Sequence, residues 1–220
     1  MMLCIQWDDA EFIKRKLVNS RVVALPPPMA AVPRRVAHRD PVCIFVGSGA
    51  LPNVDGVQWF LEAVWPGVLA RVPSAQLRVY GSVCSRVETS SESVKLLGRV
   101  DDIVSCYDEA KLAVVPLRIG SGLKIKIVEA ITMGMPIVTT EVGAQGLFEI
   151  RPQPFALCKS ADEMIARTAA LLLSDEECGT LEAAARGAQA LFDPQRISAV
   201  LDAAMREISV ESPIIDNEAR

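Results

Sequence analysis

A glycine-rich loop followed by charged side chains is the stretch of the sequence best suited to ligand chemistry. Gly120, Ser121 and Gly122 follow an apolar run and precede a segment with helical periodicity. Glycines let a ligand approach backbone amides closely, and the free N–H groups at the start of a helix attract phosphate. Lys124 and Lys126 add positive charge within the next turns. The types and spacing of these residues predict a phosphate-binding loop.

Glu129 is placed to bind a second part of the same ligand. Counted from Gly122, it lies about 10 Å along the predicted helix and on the same face as the loop. Lys126, three residues earlier, shares that face. A carboxylate accepts hydrogen bonds from both hydroxyls of a ribose, so a phosphate site and a carboxylate at this spacing suit a nucleotide diphosphate. The alternative is that Lys126 and Glu129 form a surface ion pair on an amphipathic helix.

These residues need a scaffold, and the pattern of the chain indicates which one. From residue 42 onward, short apolar runs bounded by Gly or Pro alternate with segments of helical period, as in buried parallel strands and their crossover helices. The runs predicted as strands are 42–47, 76–81, 94–98, 112–116, 136–140 and 155–158. This alternation predicts an α/β fold, a doubly wound, Rossmann-like parallel sheet covered by helices on both faces.

Capping residues and breaks mark the predicted helices. Asn53 is expected to cap a helix with apolar side chains over 57–64, and Asp101 or Asp102 to cap a shorter one. A further helix is predicted over 122–133, because a Gly-Met-Pro sequence interrupts the pattern after it. A C-terminal helical segment follows, with helices predicted over 161–173, 175–191 and 194–208.

Composition limits the classes of function. The chain has 220 residues and a formal net charge of −4, so it shows no electrostatic footprint for a nucleic acid polymer. Its six cysteines include no Cys-x-x-Cys pair and its only histidine is His38, which argues for reduced structural cysteines and against a metal site. The first residues lack the apolar stretch of a signal peptide, and no run approaches a membrane span. We therefore expect a soluble cytoplasmic protein without a cofactor.

The glycine-loop region resembles the signature of a known enzyme family. Residues 120–140 read GSGLKIKIVEAITMGMPIVTT, and the family-four (group 1) glycosyltransferases of the GT-B fold carry GSGxxxKxxEAxxxGxPVVTT. The resemblance runs in order over residues 42–148, which look like the family's second domain. In that family the first domain binds the acceptor and the second binds the nucleotide-sugar donor. The resemblance implies the donor-binding half of a glycosyltransferase, which transfers a sugar from a nucleotide-diphosphate sugar to an acceptor.

The same resemblance implies roles for individual residues. Glu129 corresponds to the carboxylate that holds the ribose, and Lys126, with Lys124 near it, to the cationic contact at the diphosphate. The backbone amides expected to meet the phosphates or the sugar are those of Ser121, Gly122 and Leu123. These residues form one wall of the predicted donor site.

Two other segments complete the predicted site. Gly47 and Ser48 would line the cleft opposite the glycine loop, and Arg99 and Val100 would border the base. The chain departs from many relatives at two places: they carry a glutamate where this chain has Ser121, and an Arg and a Lys in the loop that here reads GSGALPN. Without a cation in that loop, the phosphate charge is expected to fall on the lysines that follow the glycine loop.

The resemblance also divides the chain into parts. Residues 1–41 are expected to be a remnant of the first domain and the interdomain linker, 42–209 the nucleotide-sugar-binding domain, and 210–220 a frayed tail. The acceptor domain is then missing from this chain, no catalytic residue is assigned, and the chain alone is expected to be inactive. The alternative is a non-catalytic binding or interaction module that retains the glycosyltransferase fold.

The last predicted helix needs a cover. Residues 194–208 carry an apolar stripe at helical spacing, which in the two-domain fold would pack on the first domain. Large exposed apolar patches are uncommon on soluble monomers, so another surface must cover this stripe. We expect either the N-terminal segment around Phe12, Ile13 and Leu17, or a second copy of the chain in a homodimer.

Overall fold

The computed structural model describes residues 1–17, 21–32, 34 and 40–211. His38 and most of the predicted frayed tail, residues 212–220, lie outside the described residues. Among the described residues, none of the helices combines the length and the apolar character that a membrane span requires.

A six-stranded parallel sheet forms the centre of the molecule. Its strands are β3 (Val42–Val46), β4 (Gln76–Tyr80), β5 (Val94–Gly98), β6 (Leu112–Val115), β7 (Ile137–Thr140) and β8 (Ala156–Cys158). The order across the sheet is β5-β4-β3-β6-β7-β8. Within this sheet the chain enters at the central strand β3, adds β4 and β5 on one side, and then crosses back to add β6, β7 and β8 on the other. The predicted strands and the predicted doubly wound α/β fold are confirmed.

Helices cover both faces of this sheet. They are α2 (Leu51–Trp59), α3 (Trp65–Arg71), α4 (Ile103–Asp108), α5 (Ile125–Thr132), α6 (Ala161–Leu173), α7 (Asp175–Ala188) and α8 (Pro194–Glu211). One apolar layer packs α2, α3 and α6 against the sheet around Phe60 and Trp65, and the other packs α4, α5 and α7 around Tyr107 and Ile131. The six cysteines are all free thiols, five of them buried in the apolar interior. Because both faces are buried, the central strands read as continuous apolar runs.

Two helix starts differ from the sequence prediction. Helix α2 begins at Leu51 with Ala50 at the N-cap, so Asn53 lies in the first turn and its expected capping role is wrong. Helix α5 begins at Ile125, three residues later than predicted, because Gly120 and Gly122 adopt φ values of +113° and +76°. These left-handed conformations do not fit a right-handed helix.

The choice between Asp101 and Asp102 is settled by hydrogen bonds. The side chain of Asp102 accepts hydrogen bonds from the backbone amides of Val104, at 3.0 Å, and Ser105, at 3.3 Å. Asp102 is therefore the N-cap of α4.

The N-terminal segment is a small parallel unit of strand, helix and strand. It consists of β1 (Met2–Cys4), α1 (Trp7–Lys16) and β2 (Val22–Ala24). The ring of Trp7 packs edge-on against Phe192, with ring centroids 6.2 Å apart, and Arg21 forms an ion pair with Glu207 of α8. The N-terminal segment therefore contacts the C-terminal helix.

The details of this cover differ from the expectation. Phe12 is 62% exposed and Leu17 is 41% exposed, so neither covers α8. Ile13 packs within the N-terminal unit itself, beside Ala10. The contacts to the C-terminal region are made by Trp7 and Arg21 instead. The division of the chain at residue 41 and the homodimer stay predictions.

Candidate functional site

A cleft of about 670 Å³ opens at the carboxyl ends of β3 and β6. These two strands are neighbours, and the chain builds outward from them in opposite directions. Loops at such a reversal diverge to the two faces of the sheet and leave a crevice between them, where open α/β sheets bind ligands. The loops after β3, β4, β5 and β6, together with the start of α5, form its walls.

Most of the predicted site residues meet in this cleft. Eight of the ten line it: Gly47, Ser48, Arg99, Ser121, Leu123, Lys124, Lys126 and Glu129. Gly122 lies in the glycine loop and Val100 in the loop after β5, but neither is among the residues that line the cleft. Sequence reasoning missed Asn53, Gly81 and Ser82, which also line the cleft. Gly81 directly follows β4, and a glycine at the carboxyl end of a strand was the signal that could have identified it.

The floor of the cleft is a close approach of two backbone segments. Gly81 has φ +98°, and a Cβ atom built on it would lie 2.1 Å from the carbonyl oxygen of Gly47. A Cβ atom on Gly47 would lie 2.7 Å from the ring of Phe45. The Gly47 amide donates to the Tyr80 carbonyl at 2.9 Å, and the Gly49 amide to Ser82 Oγ at 2.9 Å. Position 81 therefore requires glycine. The two hydrogen bonds from backbone amides hold the loop after β3 in place.

Lys126 reaches across the cleft from α5. Its ammonium nitrogen lies 4.3 Å from the centroid of the Phe45 ring and donates a hydrogen bond to Asn53 Oδ1. The pKa of Lys126 is lowered to about 8, chiefly by burial; the nearby carboxylate of Glu129 opposes this shift, and the charge of Lys124 adds to it. An amine held partly dehydrated in this way gains from any anion that enters the cleft.

Glu129 lies on the same helix, three residues after Lys126. Among the described residues, no hydrogen bond or ion pair engages its carboxylate, so the alternative of a Lys126–Glu129 surface ion pair is wrong. Burial raises the pKa of Glu129, and the nearby charge of Lys126 opposes that effect. A half-buried carboxylate without a partner is costly to maintain, and a ligand with hydroxyl donors would satisfy it.

Lys124 is tied to the glycine loop. Its ammonium group donates to the Gly122 carbonyl at 2.5 Å and lies 3.5 Å from Gln145 Oε1. Burial lowers the pKa of Lys124 as well. These contacts place a second positive charge at the cleft wall formed by the loop.

The charge balance of the cleft favours an anion. Its lining contains three cationic side chains, from Arg99, Lys124 and Lys126, and one carboxylate, from Glu129. Within the described ranges, no cluster of three His, Cys, Asp or Glu side chains could hold a metal ion. The chemistry open to these residues is the binding of a phosphate-bearing ligand that also carries hydroxyl groups.

Comparison with known proteins agrees with this architecture. The family model for glycosyl transferases of group 1 matches residues 40–175, more than half of the chain. A Klebsiella pneumoniae protein, described as an uncharacterized 44.6 kDa protein in the cps region, is 26% identical over 117 residues. That match covers 47% of this chain and 30% of the relative.

Solved structures share the fold at low sequence identity. Sucrose-phosphate synthase from Thermosynechococcus elongatus has a TM-score of 0.74 at 19% identity, covering 96% of this chain and 58% of that protein. The pneumococcal O-GlcNAc transferase GtfA, solved with UDP and GlcNAc, has a TM-score of 0.69 at 14% identity, covering 94% and 45%. The chain thus spans less than two thirds of the length of these relatives. By its sequence match and its fold, the chain belongs to the group 1 glycosyl transferases of the GT-B fold.

Proposed function

We propose that this chain binds the nucleotide-diphosphate sugar that serves as donor in a glycosyl transfer. The observation that carries the proposal is the composition of one cleft, which places three cations beside a carboxylate that has no partner among the described residues. A diphosphate needs the cations, and a ribose offers the two hydroxyl donors that the carboxylate lacks. The cleft is also large enough for a small-molecule ligand.

Each wall of the cleft has a part in this arrangement. The diphosphate would lie against Lys124 and Lys126 and the amides of the glycine loop, and the ribose against Glu129. Arg99, which lines the cleft after β5, would border the base. A relative of the same fold, GtfA, has been solved with UDP and GlcNAc, which are ligands of the class proposed here. We assign no catalytic residue and place the acceptor on a separate domain of the complete enzyme.

The experiment that tests this function is calorimetric titration of the chain with nucleoside diphosphates. We expect Glu129→Gln to weaken the binding of UDP, GDP or ADP, whichever binds best, by about tenfold, because hydrogen bonds to a charged acceptor contribute about 1.5–3 kcal/mol. Inorganic pyrophosphate and the matching 2′,3′-dideoxynucleotide lack the ribose diol and should bind the variant and the wild type equally. Equal losses for all three ligands would show that Glu129 supports the helix and does not contact ribose.

A further inference from the structure

Asn53 meets Lys126 from the opposite wall of the cleft. It lies in the first turn of α2, where the sequence predicted only a helix cap. Its Oδ1 atom accepts a hydrogen bond from Lys126 Nζ. Its Nδ2 atom donates to the carbonyl oxygen of Ser48 at 3.0 Å and lies 3.2 Å from the Ser48 hydroxyl. One amide therefore links α5 to the loop after β3.

The chemistry of these partners fixes the orientation of the amide. An ammonium group can only donate hydrogen bonds and a backbone carbonyl can only accept them, so the oxygen of Asn53 must face Lys126 and its nitrogen must face Ser48. An aspartate would hold the lysine but could not donate to Ser48, and an alanine would do neither. Both ends of the Asn53 side chain are thus in use.

The partner of Lys126 is neutral, which preserves the positive charge of the cleft. The other charged groups near Lys126 are Glu129 on the same helix, Lys124 just before it and Arg99 across the cleft. Beneath the ammonium group lies the ring of Phe45, which also attracts a cation without neutralising it. An anion that enters the cleft therefore meets a lysine whose place is fixed and whose charge is intact.

The loop after β3, which carries Ser48, is itself rigid. Gly47 is in close contact with Gly81 on one side and with Phe45 on the other, and Gly49 is bonded to Ser82. A lysine side chain has several freely rotating bonds, and holding it in one place before the ligand arrives lowers the entropy lost on binding. Asn53 connects the lysine to this rigid loop.

We propose that Asn53 is a positioning residue, which holds the Lys126 ammonium group at the cleft by bonding it to Ser48 in the loop after β3. The effect on ligand affinity rests on the proposed function, whereas the effect on Lys126 itself does not. The loop after β3 carries no cation of its own. In this chain the uncharged side chain of Asn53 instead holds the ammonium group of Lys126 toward the ligand.

The first measurement needs no ligand. The rate at which acetic anhydride modifies Lys126, followed against pH by peptide mass spectrometry, gives the pKa of its amine. Asn53→Asp places an opposite charge beside Lys126 and should raise that pKa by about one unit or more, whereas Asn53→Ala removes a hydrogen bond to the charged form and should lower it. Gln58→Ala is the matched control on α2, since Gln58 bonds to Glu62 and Glu88 and should leave the pKa unchanged.

The second measurement is the affinity for UDP or pyrophosphate by calorimetry at pH 7. The Asn53→Asp substitution adds a carboxylate that offsets the positive charge of Lys126 and repels phosphate, so it should weaken binding about tenfold. Asn53→Ala should weaken binding about threefold or more. In a Lys126→Met background, Asn53→Ala should have no further effect, because the lysine that it positions is gone. Met at 126 keeps an unbranched side chain over Phe45.

The outcomes separate this proposal from the proposed function. An identical pKa of Lys126 in the wild type and in both Asn53 variants would overturn the positioning role, and so would an equal loss of affinity from Asn53→Ala with and without Lys126. Should Asn53→Ala fail to fold, the isosteric Asn53→Asp still decides through the pKa. Shifts of that pKa in the expected directions, together with no diphosphate binding by the wild type, would support the position of Lys126 and overturn only the proposed donor binding.

Discussion

The partly buried position of Lys126 predicts that donor binding weakens as the pH rises through the pKa of this lysine. In the unliganded chain that pKa is lowered to about 8, chiefly by burial. A bound diphosphate places negative charge beside the amine and should restore its pKa toward the ordinary lysine value of about 10.4. In the complex Lys126 then stays protonated between pH 7 and pH 9, whereas in the unliganded chain it loses its proton over this range.

The size of the effect follows from these two values. At pH 7 about nine-tenths of the free chain carries a protonated Lys126, and at pH 9 about one-tenth does. Because only the protonated form binds well, the apparent affinity should fall about tenfold between pH 7 and pH 9, which is about 1.4 kcal/mol. Below pH 7 Lys126 is already charged, so this lysine contributes no further change in affinity.

The assay is calorimetry with a nucleotide sugar, whose diphosphate bridge keeps its charge over this range. Lys126→Met should bind more weakly at pH 7, by about tenfold or more, because a hydrogen bond to a charged group contributes about 1.5–3 kcal/mol. Its affinity should also change less with pH, so that the difference between wild type and variant narrows between pH 7 and pH 9. Lys95→Met removes an exposed lysine of β5 and should keep the wild-type slope. The same pH dependence with and without Lys126 would refute the reasoning.

Three further predictions concern the fold and the activity. Gly81→Ala should lower the free energy of unfolding by more than about 2 kcal/mol in urea, because its Cβ would collide with the Gly47 carbonyl, whereas Gly98→Ala, also at positive φ but with open space, should cost about 1 kcal/mol. Trp7→Ala should lower the melting temperature by loosening the N-terminal segment from Phe192, and an unchanged melting temperature would show that this contact contributes little. If residues 1–41 are the remnant of an acceptor domain that the sequence analysis predicts, the 220-residue chain should bind a nucleotide sugar without transferring it, and sustained transfer by the purified chain would contradict that division.

The strands could be predicted from the sequence because their signal is local. A parallel strand buried on both faces must be apolar along its whole length, as Val42–Val46 and Leu112–Val115 are. The order of the sheet then brings the ends of these two strands together, and with them the loops that carry Ser48 and Ser121. The alternation of strands and helices in the sequence therefore already explains why the signature residues meet in the cleft.

The local geometry of the glycine loop was less accessible. The sequence placed the start of α5 at Gly122, since a glycine before an apolar, periodic segment fits either a loop or a first helical turn. The positive φ values of Gly120 and Gly122 decide for the loop. Glu129 is consequently in the second turn of α5, closer to the start of the helix than its spacing from Gly122 suggested.

The sequence by itself determined the family, the sheet and most of the residue types that line the cleft, because each depends on the order of residues along the chain. Only the tertiary structure decided how these residues are held. Asn53 and Lys126 are 73 positions apart, and nothing in either segment indicates that the amide of one supports the ammonium group of the other. The unpaired carboxylate of Glu129 and the lowered pKa of Lys126 likewise depend on which surfaces are buried together, and burial is a property of the packed molecule.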